Sequence, residues 1–291
     1  MLQHLKTTRR LPAMPPPIPA SVPDGQRWYV IGDIHGRCDL FDAIVTAVDR
    51  DDAAAEPAET TVVLLGDLID RGPESAGVVA VARAWQRRRR VRLLAGNHED
   101  MFLASFDDPE MLRYFLRHGG RETLLSYGLE GVRDDSRPAG ELQAEMALAV
   151  PEDDVAFLRA AEEWIEVGDY LLVHAGINPM RPLTEQRRSD LLWIRDRFLR
   201  HNKPFGRVVV HGHTICDDVD DTGYRVGIDT GAYQTGRLTA LVLEGGTRRI
   251  IQAVKRDGSV GIERTAAVPP GAMAKASIAR RSTMHDVARA G

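Results

Sequence analysis

Cysteine is nearly missing from this chain. Two residues in 291, Cys38 and Cys216, cannot build a disulfide framework, so the fold does not depend on covalent staples and a reducing, cytoplasmic location is expected. Long apolar runs are missing too. No stretch approaches the roughly 20 continuous apolar residues of a membrane-spanning helix. Residues Met1 to Arg10 carry charge with no apolar run behind them, which is not the pattern of a secretory leader. There is little net charge: 38 basic residues stand against 42 acidic ones, a formal −4. No global field points to nucleic acid or an anionic membrane, and neither is expected as a partner. What is present, 43% hydrophobic and 27% charged residues, is an ordinary core-forming composition.

Proline is concentrated at one end. The run Leu11-Pro-Ala-Met-Pro-Pro-Pro-Ile-Pro19 fixes φ and removes backbone donors, so residues 1–26 read as an extended arm. Residues 258–291 read as a flexible tail, with a short helix over Met284–Arg289 and a phosphorylation candidate in Arg280-Arg281-Ser282-Thr283. Between them, 27–257 reads as one domain. Strands are predicted at Trp28–Ile31, Thr61–Leu65 and Val91–Leu94. Apolar residues at helical spacing lie between them, including a helix over Ser75–Arg89. This β-α-β-α-β order predicts parallel pairing. Residues 98–163 read as an inserted helical block. Later strands are predicted at Trp164–Val167, Tyr170–Val173, Val208–Val210, Tyr224–Ile228, Leu238–Leu243 and Arg249–Val254. Short turns such as Gly245-Gly246 imply antiparallel pairing among the last of them. The expected architecture is α/β, two sheets face to face with helices outside.

The informative residues sit where apolar runs stop. Five clusters follow strand candidates directly: Gly32-Asp33-Ile34-His35-Gly36, Gly66-Asp67-Leu68-Ile69-Asp70-Arg71-Gly72, Gly96-Asn97-His98-Glu99, His174-Ala175-Gly176 and His211-Gly212-His213-Thr214. Any one of them is ordinary turn chemistry. Five together are not, because a turn needs Gly or Asn but not His at each corner. Carboxylate and amide oxygens suit Mn²⁺ or Mg²⁺, and imidazole suits Zn, Fe or Mn, so the mixed set points to a borderline metal pair. Asp33 and His35, two apart at a strand end, can face one ion.

As an ordered set these motifs resemble the calcineurin-like metallophosphoesterases, and within them the phosphoprotein phosphatases of phage and bacteria, from about Trp28 to Gly245. The resemblance implies a four-layer α-β-β-α sandwich with two mixed sheets and a helical insertion. It implies two divalent cations, Mn²⁺ first with Fe or Zn as alternatives. Asp33, His35 and His213 would bind one ion, Asn97 and His174 the other, with Asp67 bridging. His98 would be the proton donor and Asp70 its partner. Arg71 and Arg195, with Asn97 and His98, would bind phosphate. The stretch Ile228-Asp229-Thr230-Gly231-Ala232 also matches that branch. Two such cations lower the pKa of bound water and offset charge at phosphorus, and guanidinium donors match phosphate oxygens.

The expected activity is a serine/threonine phosphatase acting on a phosphoprotein or phosphopeptide. The rival is a diadenosine tetraphosphate hydrolase of the same fold. Asp70 and Glu99 favour the phosphatase, because the symmetrical hydrolases usually carry Ala and Asp there. A third reading is a phospho-binding protein that has lost turnover. Several residues are read outside the chemistry. His211 is packing or support, Cys216 an inert thiol, Trp164 and Trp193 core, and Arg87–Arg90 a solvated helix end rather than a phosphopeptide dock. His118 is placed over the site, within reach of substrate.

Overall fold

The computed structural model describes residues 19–270. The proposed helix and phosphorylation site near the C-terminus, and all of the proline-rich segment except Pro19, lie outside those residues. The chain opens with β1 (Gln26–Ile31), α1 (Cys38–Ala54), β2 (Glu59–Leu64), α2 (Ser75–Gln86) and β3 (Val91–Leu93). A helical cap follows: α3 (Asn97–Ala104), α4 (Pro109–Phe115), a π turn (Leu116–Gly120), α5 (Arg121–Ser126), a 3₁₀ turn (Glu130–Arg133), α6 (Ala139–Ala149) and α7 (Glu152–Arg159). Next come β4 (Trp164–Val167), β5 (Tyr170–Val173), α8 (Arg188–Trp193), α9 (Asp196–Leu199), β6 (Val208–His211), β7 (Asp220–Asp221) and β8 (Arg225–Gly227). The chain closes with α10 (Ala232–Thr235), β9 (Arg237–Glu244), β10 (Thr247–Arg256) and β11 (Ser259–Arg264).

Two mixed sheets form. The first runs β11-β10-β9-β1-β2-β3 and the second β4-β5-β6-β8-β7. β1, β2 and β3 are parallel, as are β5, β6 and β8. Successive strand residues point to opposite faces, and this alternation builds the layers. Tyr29, Ile31, Val62 and Leu64 pack on α1 and α2. Val30, Val63 and Leu65 face the other sheet, where they meet Leu172, Val208, Val210 and Val226. Leu171, Val173 and Val209 turn outward to Leu191 and Phe198 of α8 and α9. The four layers follow, and the central strands of both sheets are buried on both faces. That is why their strands read as continuous apolar runs.

Two boundaries differ from expectation. The presumed tail contains β11, which pairs antiparallel with β10 from Ser259↔Arg256 to Arg264↔Ile251. Its sequence is too polar to read as a strand because it is an edge strand, solvated on one face. The presumed arm is anchored at its end: Ala20 and Val22 are buried, and Val22 N–H donates to the Gly245 carbonyl at 3.0 Å. The four arginines after α2 are largely absorbed by ion pairs, Arg88 and Arg89 with Asp49, Arg89 also with Asp52, and Arg90 with Glu59. Among the described residues no helix is long and apolar enough to cross a membrane.

Candidate metal centre

The five clusters meet at the carboxyl ends of β1, β2, β3, β5 and β6, where strand ends of an open α/β sheet gather a site. The backbone there is contorted. His35 (φ 47°), Asp67 (φ 52°), Asp70 (φ 73°), Arg71 (φ 69°) and His213 (φ 62°) are left-handed, and Asp257 is the single other non-glycine in that state among the described residues. Such conformations persist where surrounding contacts over-determine them. Close approach explains two glycines. A Cβ on Gly96 would lie 2.3 Å from both the amide and Oδ1 of Asp67, and one on Gly212 2.0 Å from Asp33 Oδ1.

Asp67 is the hub. Its Oδ2 lies 3.5 Å from His35 Nε2, and its Oδ1 lies 3.5 Å from His174 Nε2. Asn97 Oδ1 lies 3.0 Å from the same His174 nitrogen. The His174 and His213 ring centres are 5.1 Å apart. Asp33 accepts the His213 backbone N–H at 3.0 Å. Two groupings bring three donor atoms within 4.8 Å of one another, His35–Asp67–His98 and Asp67–His174–His213. His213 therefore clusters with His174 through its ring, and reaches Asp33 through its backbone.

The hydrogen-bond pattern suits a cation. His35 Nδ1 sits 2.7 Å from the Ile69 carbonyl, and His174 Nδ1 sits 2.8 Å from the Leu65 carbonyl. The proton on each ring is thereby assigned to Nδ1, leaving the Nε2 lone pair turned toward the Asp67 carboxylate. His213 Nε2 is buried without a hydrogen-bond partner among the described residues. Burial keeps these rings neutral: it pulls His35 down to about 3 and His213 down to about 2, and lowers His174 as well. Lone pairs thus converge on oxygens. The acids are crowded too, with Asp33, Asp67, Asp70, Glu99 and Asp229 all buried. Burial, then Asp229 and Asp67, raise Asp33. Burial lifts Asp229 to about 6, and burial with Asp67 lifts Glu99 to about 7. Divalent cations among these donors would relieve both conflicts, so the residues fit a metal pair.

Next to the hub lies a second group. Asp70 Oδ2 is 2.5 Å from His98 Nδ1. Thr123 from the cap donates to Asp70 Oδ1 at 2.6 Å. Burial opposes charge on the His98 ring, but the Asp67 and Asp70 carboxylates outweigh it and raise its pKa. Arg71 donates to Nε2 of both His35 and His98, at 3.0 Å each, and lies 4.9 Å from the centre of the Tyr233 ring. Arg195 reaches the far side, donating to the His213 carbonyl and Thr214 Oγ1 at 3.3 Å.

Some expectations change. Trp193 is 39% exposed and stands edge-on to His213 at 6.0 Å, because Leu191, Leu192 and Ile194 take the inward positions. His118 is exposed, stacked on Tyr114 and bonded to the Tyr114 carbonyl. Its neighbour Gly119 contacts the site, accepting the Arg71 backbone N–H at 3.0 Å. His211 is buried against Phe198. The sequence reading missed Glu99 as a support, Asp229 beside Asp33, Thr123 behind Asp70 and Tyr233 under Arg71. Glu99 and Asp229 stood inside quoted motifs, but Thr123 and Tyr233 carried no local signal.

Residues 27–234 match the calcineurin-like phosphoesterase model, and the chain belongs to that family. The family depends on a dinuclear metal centre and hydrolyses phosphoesters. The chain is similar to the asymmetrical bis(5'-nucleosyl)-tetraphosphatase PrpE of Anoxybacillus flavithermus, 24% identical over 235 residues, covering 73% of this chain and 88% of that one. It is similar also to serine/threonine-protein phosphatase 1 of Salmonella typhimurium, 28% identical over 219 residues, covering 72% and 89%. A crystal structure of a protein proposed to be a diadenosine tetraphosphatase shares the fold, with a TM-score of 0.53 at 20% identity over 87% of this chain and 98% of that one.

Proposed function

We propose that the chain is a protein serine/threonine phosphatase. The observation that carries this reading is the buried Asp70–His98 contact at 2.5 Å, beside Arg71. A serine or threonine alkoxide is a poor leaving group and needs a proton as the ester bond breaks. A nucleotide phosphate needs it far less. Asp70 fixes the His98 tautomer and favours its charged form, which makes the ring a general acid near neutral pH. Arg71 and Arg195 flank the hub with planar donors suited to phosphate oxygens.

Asp33, His35, Asp67, Asn97, His174 and His213 would hold the two cations, with Mn²⁺ as the first choice. Bound there, they supply Lewis-acid charge for displacement at phosphorus. Arg71 spans His35 and His98, which sets its guanidinium beside the ring that would give up the proton.

A second reading, an asymmetrical dinucleoside tetraphosphatase, is favoured by the PrpE similarity at equal coverage. Assaying phosphothreonine peptides and diadenosine tetraphosphate side by side, after adding Mn²⁺ to metal-stripped protein, separates the two. Turnover of the dinucleotide with none of the peptides would sink the phosphatase reading.

A further inference from the structure

The helical cap contains a cavity of about 320 Å³, at the low end of the range for ligand pockets. It opens between α4, the π turn, α5 and α6. Its floor is apolar, with Leu112, Val132 and Leu142 buried there. Its rim is cationic. Arg121 is held by Asp135 and the Val132 carbonyl, and Arg137 by Glu145. Arg113 and Arg117 are exposed and have no ion pair or hydrogen bond through the guanidinium among the described residues. Asp134 also lines the cavity, and it accepts from Ser136. Two uncommitted guanidinium groups therefore stand beside two carboxylates, Asp135 paired with Arg121 and Asp134 accepting from Ser136.

None of the catalytic groups lines the cavity, but the chain links its rim to them. Arg117 is two residues from Gly119, whose carbonyl holds the Arg71 backbone, a span of at most about 7 Å. An extended peptide advances roughly 3.3 Å per residue. A few residues of a substrate chain held at Arg71 would cover the stretch from Gly119 to Arg117.

We propose that this cavity is a subsite for the segment flanking the phosphorylated residue, selecting an acidic side chain next to an apolar one. The acid meets Arg113 and Arg117, and the apolar side chain enters toward Leu142. The inference rests on the phosphoprotein reading above. It differs from the Arg87–Arg90 run, where most of the charge is neutralised within the fold.

Two phosphothreonine peptides test it, one with Glu-Leu and one with Ala-Ala three positions from the phosphate, assayed on the Mn²⁺-loaded full chain at low ionic strength. The Glu-Leu peptide is expected to show kcat/KM about tenfold higher, mostly through KM, the size of one charge-assisted contact. Added salt should erode the difference. In the double variant Arg113→Glu/Arg117→Glu the preference should vanish or pass to a Lys-Leu peptide, with p-nitrophenyl phosphate turnover unchanged. Equal kcat/KM for the two peptides in the parent, or a preference that survives the double variant, overturns the subsite alone. Full p-nitrophenyl phosphate turnover with no peptide turnover overturns the phosphoprotein reading, and the subsite with it.

Discussion

The Glu99 carboxylate and the Asp67 backbone amide are joined at 2.8 Å, and the same carboxylate takes the Leu68 amide at 2.8 Å and the Gly96 amide at 3.1 Å. The first turn of α3 thus fixes the left-handed hub of the centre. Glu99→Gln keeps the shape but turns an amide NH₂ toward backbone donors. It is expected to lower stability by about 2 kcal/mol, the cost of stranded buried donors, and to weaken Mn²⁺ retention. Thermal unfolding and metal content measure the two effects.

His98→Asn should retain metal and lose turnover of phosphothreonine peptides by about 10² to 10⁴, the usual worth of a general acid. The loss should be much smaller for p-nitrophenyl phosphate, whose leaving group needs no proton. Equal losses on both substrates would deny His98 the role of acid.

Asp70→Asn bears on the pH profile. The Asp70 carboxylate helps hold the His98 pKa above its ordinary value, so the protonated ring is retained to higher pH and activity falls as pH rises through that pKa. Without the carboxylate the pKa drops, and the basic limb of kcat should move toward acid. A limb that stays in place would break the link between the two residues.

Asp67 lies within 3.5 Å of Nε2 on both His35 and His174. Asp67→Asn should therefore deplete both metals together and abolish turnover. Loss of one equivalent with the other intact, read by metal analysis, would contradict the shared position.

Tyr233 has its ring under the Arg71 guanidinium at 4.9 Å and edge-on to His35 at 5.4 Å. Tyr233→Leu is expected to lower kcat/KM about fivefold, in line with a cation–π contact of roughly 1 kcal/mol. Tyr233→Phe should restore it, because the ring and not the hydroxyl makes the contact.

Much of the architecture was legible because parallel, doubly buried strands print themselves as apolar runs, as Val62–Leu64 and Val208–Val210 do, and because their ends carry the site. Edge strands do not, and β11 was hidden by its solvated face. The donor set was legible from residue type and order. Its supports were not, since Thr123 and Tyr233 reach Asp70 and Arg71 across sequence gaps of 53 and 162 positions that no local pattern records. Trp193 misled because an aromatic between apolar neighbours looks internal, while Leu191, Leu192 and Ile194 take the inward positions and leave it facing out.

The donors hang from opposite halves of the sandwich, with His35, Asp67 and Asn97 following strands of one sheet and His174 and His213 following strands of the other. A metal pair held by them would be a rivet through two plates. Its escape rate then reports how often the plates part, and chelation should loosen the seam between the sheets before it disturbs either sheet alone.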